Sequence, residues 1–302
     1  MATLKELKVR ISGIKSTQKI TKAMKMVASA KLRRAQERTI AARPYAKKIN
    51  ELLTDLVSVA GEGTDELLES REIRSRCVVV VSSDRGLAGS FNTAVIRYAY
   101  NYIKSLGDDT KVVVIGKKAY DALKKRDVNI VFHKTGIFSD LTIEVSNEIV
   151  NFLVDNYKKK TFDSVEIIFN EFVTMVKQDT VKDQFLPLKK NKPNEKDGEK
   201  VKGKENIEAQ EKKTAGDYIY EPSESEIIKE LIPKQLKVQM WKVLLESNTS
   251  EHAARMTAME TATKNATDLI MELELTYNQA RQAAITKEIL EIVGGAEALK
   301  DA

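Results

Sequence analysis

Cysteine is nearly absent from this 302-residue chain: Cys77 stands alone, so neither an internal disulfide nor a cysteine-based metal cluster can form, and Cys77 reads as a small core hydrophobe. Histidine is scarce as well, with only His133 and His252, so a zinc site is not expected. His252 has Glu251 as its one ligand-type neighbour, which points to a hydrogen-bonded or exposed histidine. No run of about 18 apolar residues is available to span a bilayer, and Met1 to Arg10 carries alternating charges where a secretory signal needs an apolar stretch. The expected compartment is cytosolic. Motifs for phosphate cradling and serine nucleophiles are missing too, since there is no G-x-G-x-x-G, no G-x-x-x-x-G-K-[ST] and no G-x-S-x-G.

Glycine and proline are missing from one long stretch. Between Lys234 and Val293 about sixty residues pass without either. As a single α-helix this stretch would be roughly 90 Å long, more than any compact domain needs. Met256, Met259, Ala266, Ile270, Leu273, Tyr277, Ala280 and Ala284 alternate at three and four residues, with Thr263 as the polar interruption, and so form a heptad seam. Ala253, Ala254, Ala258, Ala262 and Ala283 add small residues along which a partner helix can approach closely.

The partner lies at the other end of the sequence. Leu4, Leu7, Ile11 and Ile14 keep heptad spacing, and Ile20, Met24, Val27, Ala28, Leu32 and Ala35 continue the stripe after a slip of register. Gly13 weakens this helix and Pro44 kinks or interrupts it. The methionines Met24, Met26, Met256 and Met259 read as core filler. Two terminal helices joined by a globular middle pair most simply as an antiparallel coiled coil, their far ends projecting from that middle. Charge is concentrated at the first of them: Met1 to Asn50 carries fourteen Lys and Arg against two acids, a balance of +12 that leaves the remainder at −6. Such a segment suits nucleic acid, an anionic surface or an acidic protein partner, or is plain solvated helix.

In the middle, the period changes from helical to alternating strand and helix. Strands are expected at Cys77 to Ser82, Lys111 to Ile115 and Asn129 to Phe132. Helices fall at Asn92 to Leu106, Lys117 to Lys125 and Leu141 to Tyr157. Two further strands, Ser164 to Val173 and Val181 to Leu188, pair as a hairpin around Lys177 to Asp179, giving a small α/β domain with a truncated Rossmann-like sheet and an antiparallel edge. Lys189 to Gly216 holds nine Lys, six acids and no aromatic residue, the composition of a disordered insertion. Order resumes at Tyr218, Ile219 and Tyr220, and Ser223 with Glu226 fits a capping box that opens the long helix, which Pro233 bends. The resulting division is a first coiled-coil helix (1–60), an α/β domain (75–188), an insertion (189–217), a last strand (218–222) and a second coiled-coil helix (223–302).

The loop Ser82 to Asn92 follows a buried strand and precedes a helix, the usual ligand position in such sheets. Lacking a phosphate or nucleophile motif, it reads as a turn that packs on its own domain or on a partner, with Asp84 and Arg85 as a local charge pair. The end of the long helix is different. Ile285, Ile289, Leu290, Ile292, Val293, Ala296 and Leu299 point in most directions around its axis, and a helix apolar all round calls for another protein that sheathes it.

These residues resemble the gamma subunit of F-type ATP synthases. The ending Ile285-Thr286-Lys287-Glu288-Ile289-Leu290-Glu291-Ile292-Val293-Gly294-Gly295-Ala296-Glu297-Ala298 is similar to that family's C-terminal signature. Ile14 to Met24 (IKSTQKITKAM), Ser250 to Met256 (SEHAARM), Ala262 to Ala266 (ATKNA) and Asp84 to Asn92 (DRGLAGSFN) agree as well, whereas Lys189 to Gly216 is longer than the family pattern. The resemblance implies a rotor shaft of two helices inside a ring of three alpha and three beta subunits. Its α/β domain would be the foot that grips the epsilon subunit and the membrane c-ring. The chain would then transmit torque between a proton-driven ring and the catalytic sites from the cytoplasmic face of the inner membrane. It would hold no cofactor, metal or catalytic residue and meet the membrane only through the c-ring. Position by position, Arg281, Gln282, Thr286 and Glu288 resemble residues that contact beta-subunit loops, Lys19, Met24 and Lys25 those that face the beta lever, and Tyr218, Tyr220 and Glu221 those that contact the c-ring. A basic coiled-coil protein for nucleic acid or membrane surfaces, and an α/β enzyme using the Ser82 to Asn92 loop, are the alternatives from the residues alone.

Overall fold

The computed structural model describes residues 3–60, 65–69, 71–107, 109–188, 221 and 223–298. The expected insertion and the strand residues Tyr218 and Tyr220 lie outside the described residues. The chain divides into two compact units, Met1–Lys31 with Arg255–Ala302, and Leu32–Ala254.

Two long helices contribute to both units: α1, Leu4–Ala60, and α5, Glu224–Ala298. Between them come β1 (Arg76–Val81), α2 (Phe91–Leu106), β2 (Lys111–Ile115), α3 (Lys117–Leu123), β3 (Asn129–Lys134), α4 (Ile143–Lys158), β4 (Ser164–Phe172) and β5 (Gln178–Leu186). One five-stranded sheet of order β3-β2-β1-β4-β5 forms in the second unit, parallel except for the antiparallel edge strand β5.

The strand order explains the layers. From β1 the chain steps through β2 to β3, with α2 and α3 over Val78, Val80, Val112 and Val114. It then reverses to place β4 on the other side of β1. A right-handed crossover in that direction puts α4 on the opposite face, over Cys77, Val79, Val81, Val113 and Ile167. Leu53 and Leu56 of α1 and Ile228, Ile232, Leu236, Met240 and Leu244 of α5 complete that second core. Covered on both faces, β1 and β2 are continuous apolar runs rather than alternating ones. Burial pushes the Cys77 thiol up to about 12, which leaves it inert as a core residue.

Three expectations change. The hairpin turn lies at 173–177, ahead of Lys177–Asp179, because β5 begins at Gln178 and pairs Gln178, Asp179 and Thr180 with Phe172, Glu171 and Asn170. Only Phe185 and Leu186 of β5 are buried, so most of this edge strand offers no apolar pattern. Second, Pro44 does not interrupt α1. It removes a hydrogen bond to the Ile40 carbonyl on an exposed face, while the buried Ile49, Leu53 and Leu56 hold the following turns.

Third, the register slip in α1 is absent. Leu4, Leu7, Ile11, Ile14, Gln18, Thr21, Lys25, Ala28, Leu32, Ala35, Thr39, Ala42, Ala46, Ile49, Leu53 and Leu56 are all buried or half-buried, at unbroken three-and-four spacing. Ile20 and Val27, expected on the stripe, are 60% and 57% exposed, and Met26, expected as core filler, is 61% exposed. Polar residues occupy the seam where apolar ones were sought. In the first unit Lys15, Gln18, Thr21 and Lys25 meet Glu274, Thr267, Thr263 and Glu260, so the two helices run antiparallel. In the second unit the same sense holds, with Thr39 beside Thr249 and Gln235 donating to Asn50.

The segment entering β1 is held by Arg71. Its Nε lies 2.8 Å from Asp163 Oδ1, its Nη2 donates to the carbonyls of Tyr157 and Phe162, and its guanidinium lies 4.1 Å over the Tyr157 ring. Burial alone would raise the Asp163 carboxyl. The N–H groups of Ser75 and Arg74 together with Arg71 outweigh it and hold the group below its ordinary 3.8. A depressed carboxylate stabilises the fold above its unfolded value and loses that contribution as pH falls through the folded one. Asp163→Asn is therefore expected to lower stability at pH 7 while flattening the decline below about pH 4, as read from denaturant midpoints against pH.

Candidate functional site

At the C-terminal edge of the parallel strands, where α/β sheets often bind ligands, the chain fills the position with its own groups. Asp84 Oδ1 accepts the N–H groups of Lys117 and Gly136, and Oδ2 accepts that of Phe138, so its carboxylate joins three segments rather than pairing with Arg85 as expected. Ser82 Oγ accepts the N–H of Ala119. Asn92 Oδ1 accepts both the N–H and the hydroxyl of Ser83. Ala88 and Phe91 pack against Ala254. The loop is thus a turn packed on its own unit, the first of the readings expected for it.

The surface that calls for a partner is the C-terminal part of α5, in the first unit. Its seam closes down gradually: Met259, Ala266, Ile270 and Leu273 are buried, Tyr277 and Ala280 half-buried, and every residue from Arg281 to Val293 is exposed. Among those exposed residues are Ile285, Ile289, Leu290, Ile292 and Val293, at 48–66%. Five large aliphatic side chains in little more than two turns share about half of the helix circumference, with Lys287, Glu288 and Glu291 on the other half, so the tip expected to be apolar all round is apolar on one broad face, a surface that water solvates poorly.

A second apolar feature lies beside the seam and was not expected from the sequence. Met271 and Leu275 are 63% and 62% exposed. With Asn278, Gln282, Ile285, Ile289 and Ile292 they make a stripe of four-and-three spacing on the side of α5 away from its seam. The signal was legible as a second period offset from the first, but only the burial of Ile270 and Leu273 tells which of the two faces α1.

Of the residues carried over from the family resemblance, Arg281, Gln282, Thr286 and Glu288 are brought together on this exposed helix, with Lys287 paired to Glu291 at 3.6 Å. Lys19 is exposed and Met24 half-buried on α1. Lys25 is engaged within its own unit, its Nζ 2.6 Å from Glu260. Glu221 is exposed, and Tyr218 and Tyr220 lie outside the described residues. His252, expected hydrogen-bonded or exposed, is buried on α5. No described helix is long and apolar enough to cross a membrane.

Comparison with known proteins bears directly on this arrangement. The family pattern described as ATP synthase matches residues 3–299. The ATP synthase gamma chain of Cytophaga hutchinsonii is 46% identical over all of both chains, and that of Chloroherpeton thalassium 45% identical over 99% of each. Among solved structures, a chain of the Euglena gracilis mitochondrial ATP synthase superposes with a TM-score of 0.65 at 20% identity, covering 98% of this chain and 94% of its own. A chain of the Tetrahymena thermophila mitochondrial ATP synthase central stalk and c-ring gives 0.56 at 19%, covering 80% and 99%. At that identity the structures speak for the fold, while the full-length relatives speak for the family. The chain belongs to the ATP synthase gamma chain family.

Proposed function

We propose that this chain is the central rotor subunit of a proton-translocating F-type ATP synthase, carrying torque between a membrane c-ring and catalytic sites on other subunits. The observation that carries this reading is the exposed apolar end of α5, Arg281 to Val293, continuous with a helix that is paired further back. A helix of this kind is a natural axle. Its apolar rim slides in a sleeve that makes few fixed polar bonds, and the pairing behind it resists unwinding. On this reading the sleeve is a ring of three alpha and three beta subunits, the chain itself is non-catalytic, and the complex lies on the cytoplasmic face of the inner membrane. The two-helix shaft and the α/β foot act as separate parts, the foot gripping epsilon and, through Tyr218, Tyr220 and Glu221, the c-ring.

Arg281, Gln282, Thr286 and Glu288 then meet beta-subunit loops. Lys19, Met24 and Lys25 face the beta lever, with Lys25 shared between that lever and Glu260. Exposed ion pairs are worth about 0 to 1 kcal/mol each, so a basic helix passing an acidic lever is attracted without being trapped. The test is co-purification from native membranes with a tag on this chain. Three alpha, three beta and one epsilon should be recovered, with ATPase activity only in the assembly. Recovery of a lone chain with its own turnover would sink the proposal.

A further inference from the structure

The α1–α5 pair of the first unit carries polar bonds in its seam, where a coiled coil ordinarily places apolar side chains. Gln18 Nε2 donates to Thr267 Oγ1 at 2.7 Å, and that hydroxyl donates to the Thr263 carbonyl at 2.9 Å. One rung on, the Thr21 and Thr263 hydroxyls are 2.8 Å apart, with Thr21 9% exposed. Each also has a carbonyl of its own helix in reach, Gln18 O at 3.1 Å and Met259 O at 2.7 Å, so their two protons satisfy the pair in either direction. Lys25 to Glu260 and Lys15 to Glu274, both 2.6 Å, bracket the two rungs.

We propose that this polar layer is a register lock, which holds α1 and α5 at one axial setting and keeps them from slipping past each other under load. An apolar heptad seam is periodic. A shift of seven residues, about 10 Å along the axis, returns every side chain to an equivalent hole, and small seam residues such as Ala28, Ala266 and Ala280 lower the barrier to that shift. The polar layer breaks the equivalence. Slipped one way, Thr21 meets Ile270, Thr263 meets Ala28 and Lys15 meets Arg281. Slipped the other way, Thr21 meets Met256 and Thr263 meets Ile14. Either setting leaves buried hydroxyls facing hydrocarbon, and one adds a like-charge contact. The layer lowers the burial of apolar surface and in return makes one register unique, the use of seam polar groups that coiled coils show generally. The second unit repeats the device once, with Thr39 and Thr249 at 3.2 Å.

The lock is a property of the chain itself and does not depend on the partners proposed above. It is tested in the full-length chain with spin labels on cysteines placed at the exposed Val27 and Met271, the buried Cys77 remaining unlabelled. These positions are offset along the axis, so a heptad slip appears almost fully in the measured distance. The unaltered chain is expected to give one distance. The quadruple variant Gln18→Leu, Thr21→Val, Thr263→Val, Thr267→Leu is expected to melt no lower and to widen the distance distribution, with a tail toward the setting displaced by about 10 Å, while the second unit's core still holds the other halves of the two helices. A single unchanged distance in that variant overturns the proposal. Should the quadruple variant fail to fold, the exchange Gln18→Thr with Thr267→Gln decides, because it keeps the rung with donor and acceptor reversed. It should restore the single distance that Thr267→Leu alone broadens, and equal broadening in both overturns the lock.

Discussion

Putting two carboxylates on the end of α5, as Ile289→Asp with Ile292→Asp, is expected to leave the isolated chain folded and to weaken its capture by an alpha–beta ring at least a hundredfold. The two side chains are 54% and 66% exposed, so little is lost within the chain. The helix itself pays only the difference between two middling formers, a few tenths of a kcal/mol per residue. In a sleeve both side chains would be enclosed. Burying an aliphatic side chain is worth about 1.5–3 kcal/mol, and an unpaired carboxylate in its place adds a desolvation penalty. Two such changes therefore remove at least about 3 kcal/mol, and tenfold in affinity corresponds to about 1.4 kcal/mol. Circular dichroism melts of the chain and titration of the ring with labelled chain give the two halves of the test. Unchanged affinity would mean that the apolar end is not enclosed, and the proposed axle would lose its main support.

The second large effect is expected at Gly116, between β2 and α3. Its φ is +96°, a conformation that side-chain-bearing residues rarely adopt, and a Cβ built there would run into the carbonyl and hydroxyl of Ser82. Neither can withdraw easily. The Ser82 N–H is bonded to Ile115 O, its hydroxyl accepts the Ala119 N–H, and Gly116 itself donates to Lys134 O. Backbone strain of about 1–3 kcal/mol plus the steric overlap puts Gly116→Ala at roughly 3–5 kcal/mol. With m-values of about 2–3 kcal/mol/M, the urea midpoint should fall by about 1–2.5 M. Gly13→Ala is the control. It lies in α1 with nothing but its own helix backbone within 4 Å of an added Cβ, so Gly13→Ala is expected to stabilise by up to about 1 kcal/mol. Equal effects at the two glycines would show that the close approach at Ser82 is not rigid.

Much of the architecture is legible from local chemistry. Buried parallel strands announce themselves as Cys77-Val78-Val79-Val80-Val81 and Val112-Val113-Val114-Ile115, because a strand covered on both faces needs apolar residues at every position. The long helix follows from sixty residues without Gly or Pro, and Ser223 does cap it, accepting the Glu226 N–H at 3.4 Å. The apolar end of that helix is likewise a local property: seven apolar residues gathered on one broad face, opposite Lys287, Glu288 and Glu291, need no tertiary information to be recognised.

What depends on tertiary structure is every case where a polar or small residue does the work of an apolar one. Hydropathy led the α1 stripe to Ile20 and Val27, which are exposed, because the seam positions beside them hold Gln18, Thr21 and Lys25. Those residues are tolerated only because Thr267, Thr263 and Glu260, more than two hundred positions away in sequence, meet them. The β5 strand starts early for the same kind of reason, since Gln178 to Thr180 are held by backbone pairing with β4 rather than by burial. Asp84 looks like half of a surface pair until the fold brings three backbone N–H groups to its carboxylate. Periodicity reports what each residue would bury, and the residues of this chain on their own determined two long helices, an α/β middle and an uncovered apolar end. Which polar groups would find partners, and hence the register of the helix pair and the closed loop at the sheet edge, was decided only when distant segments came together.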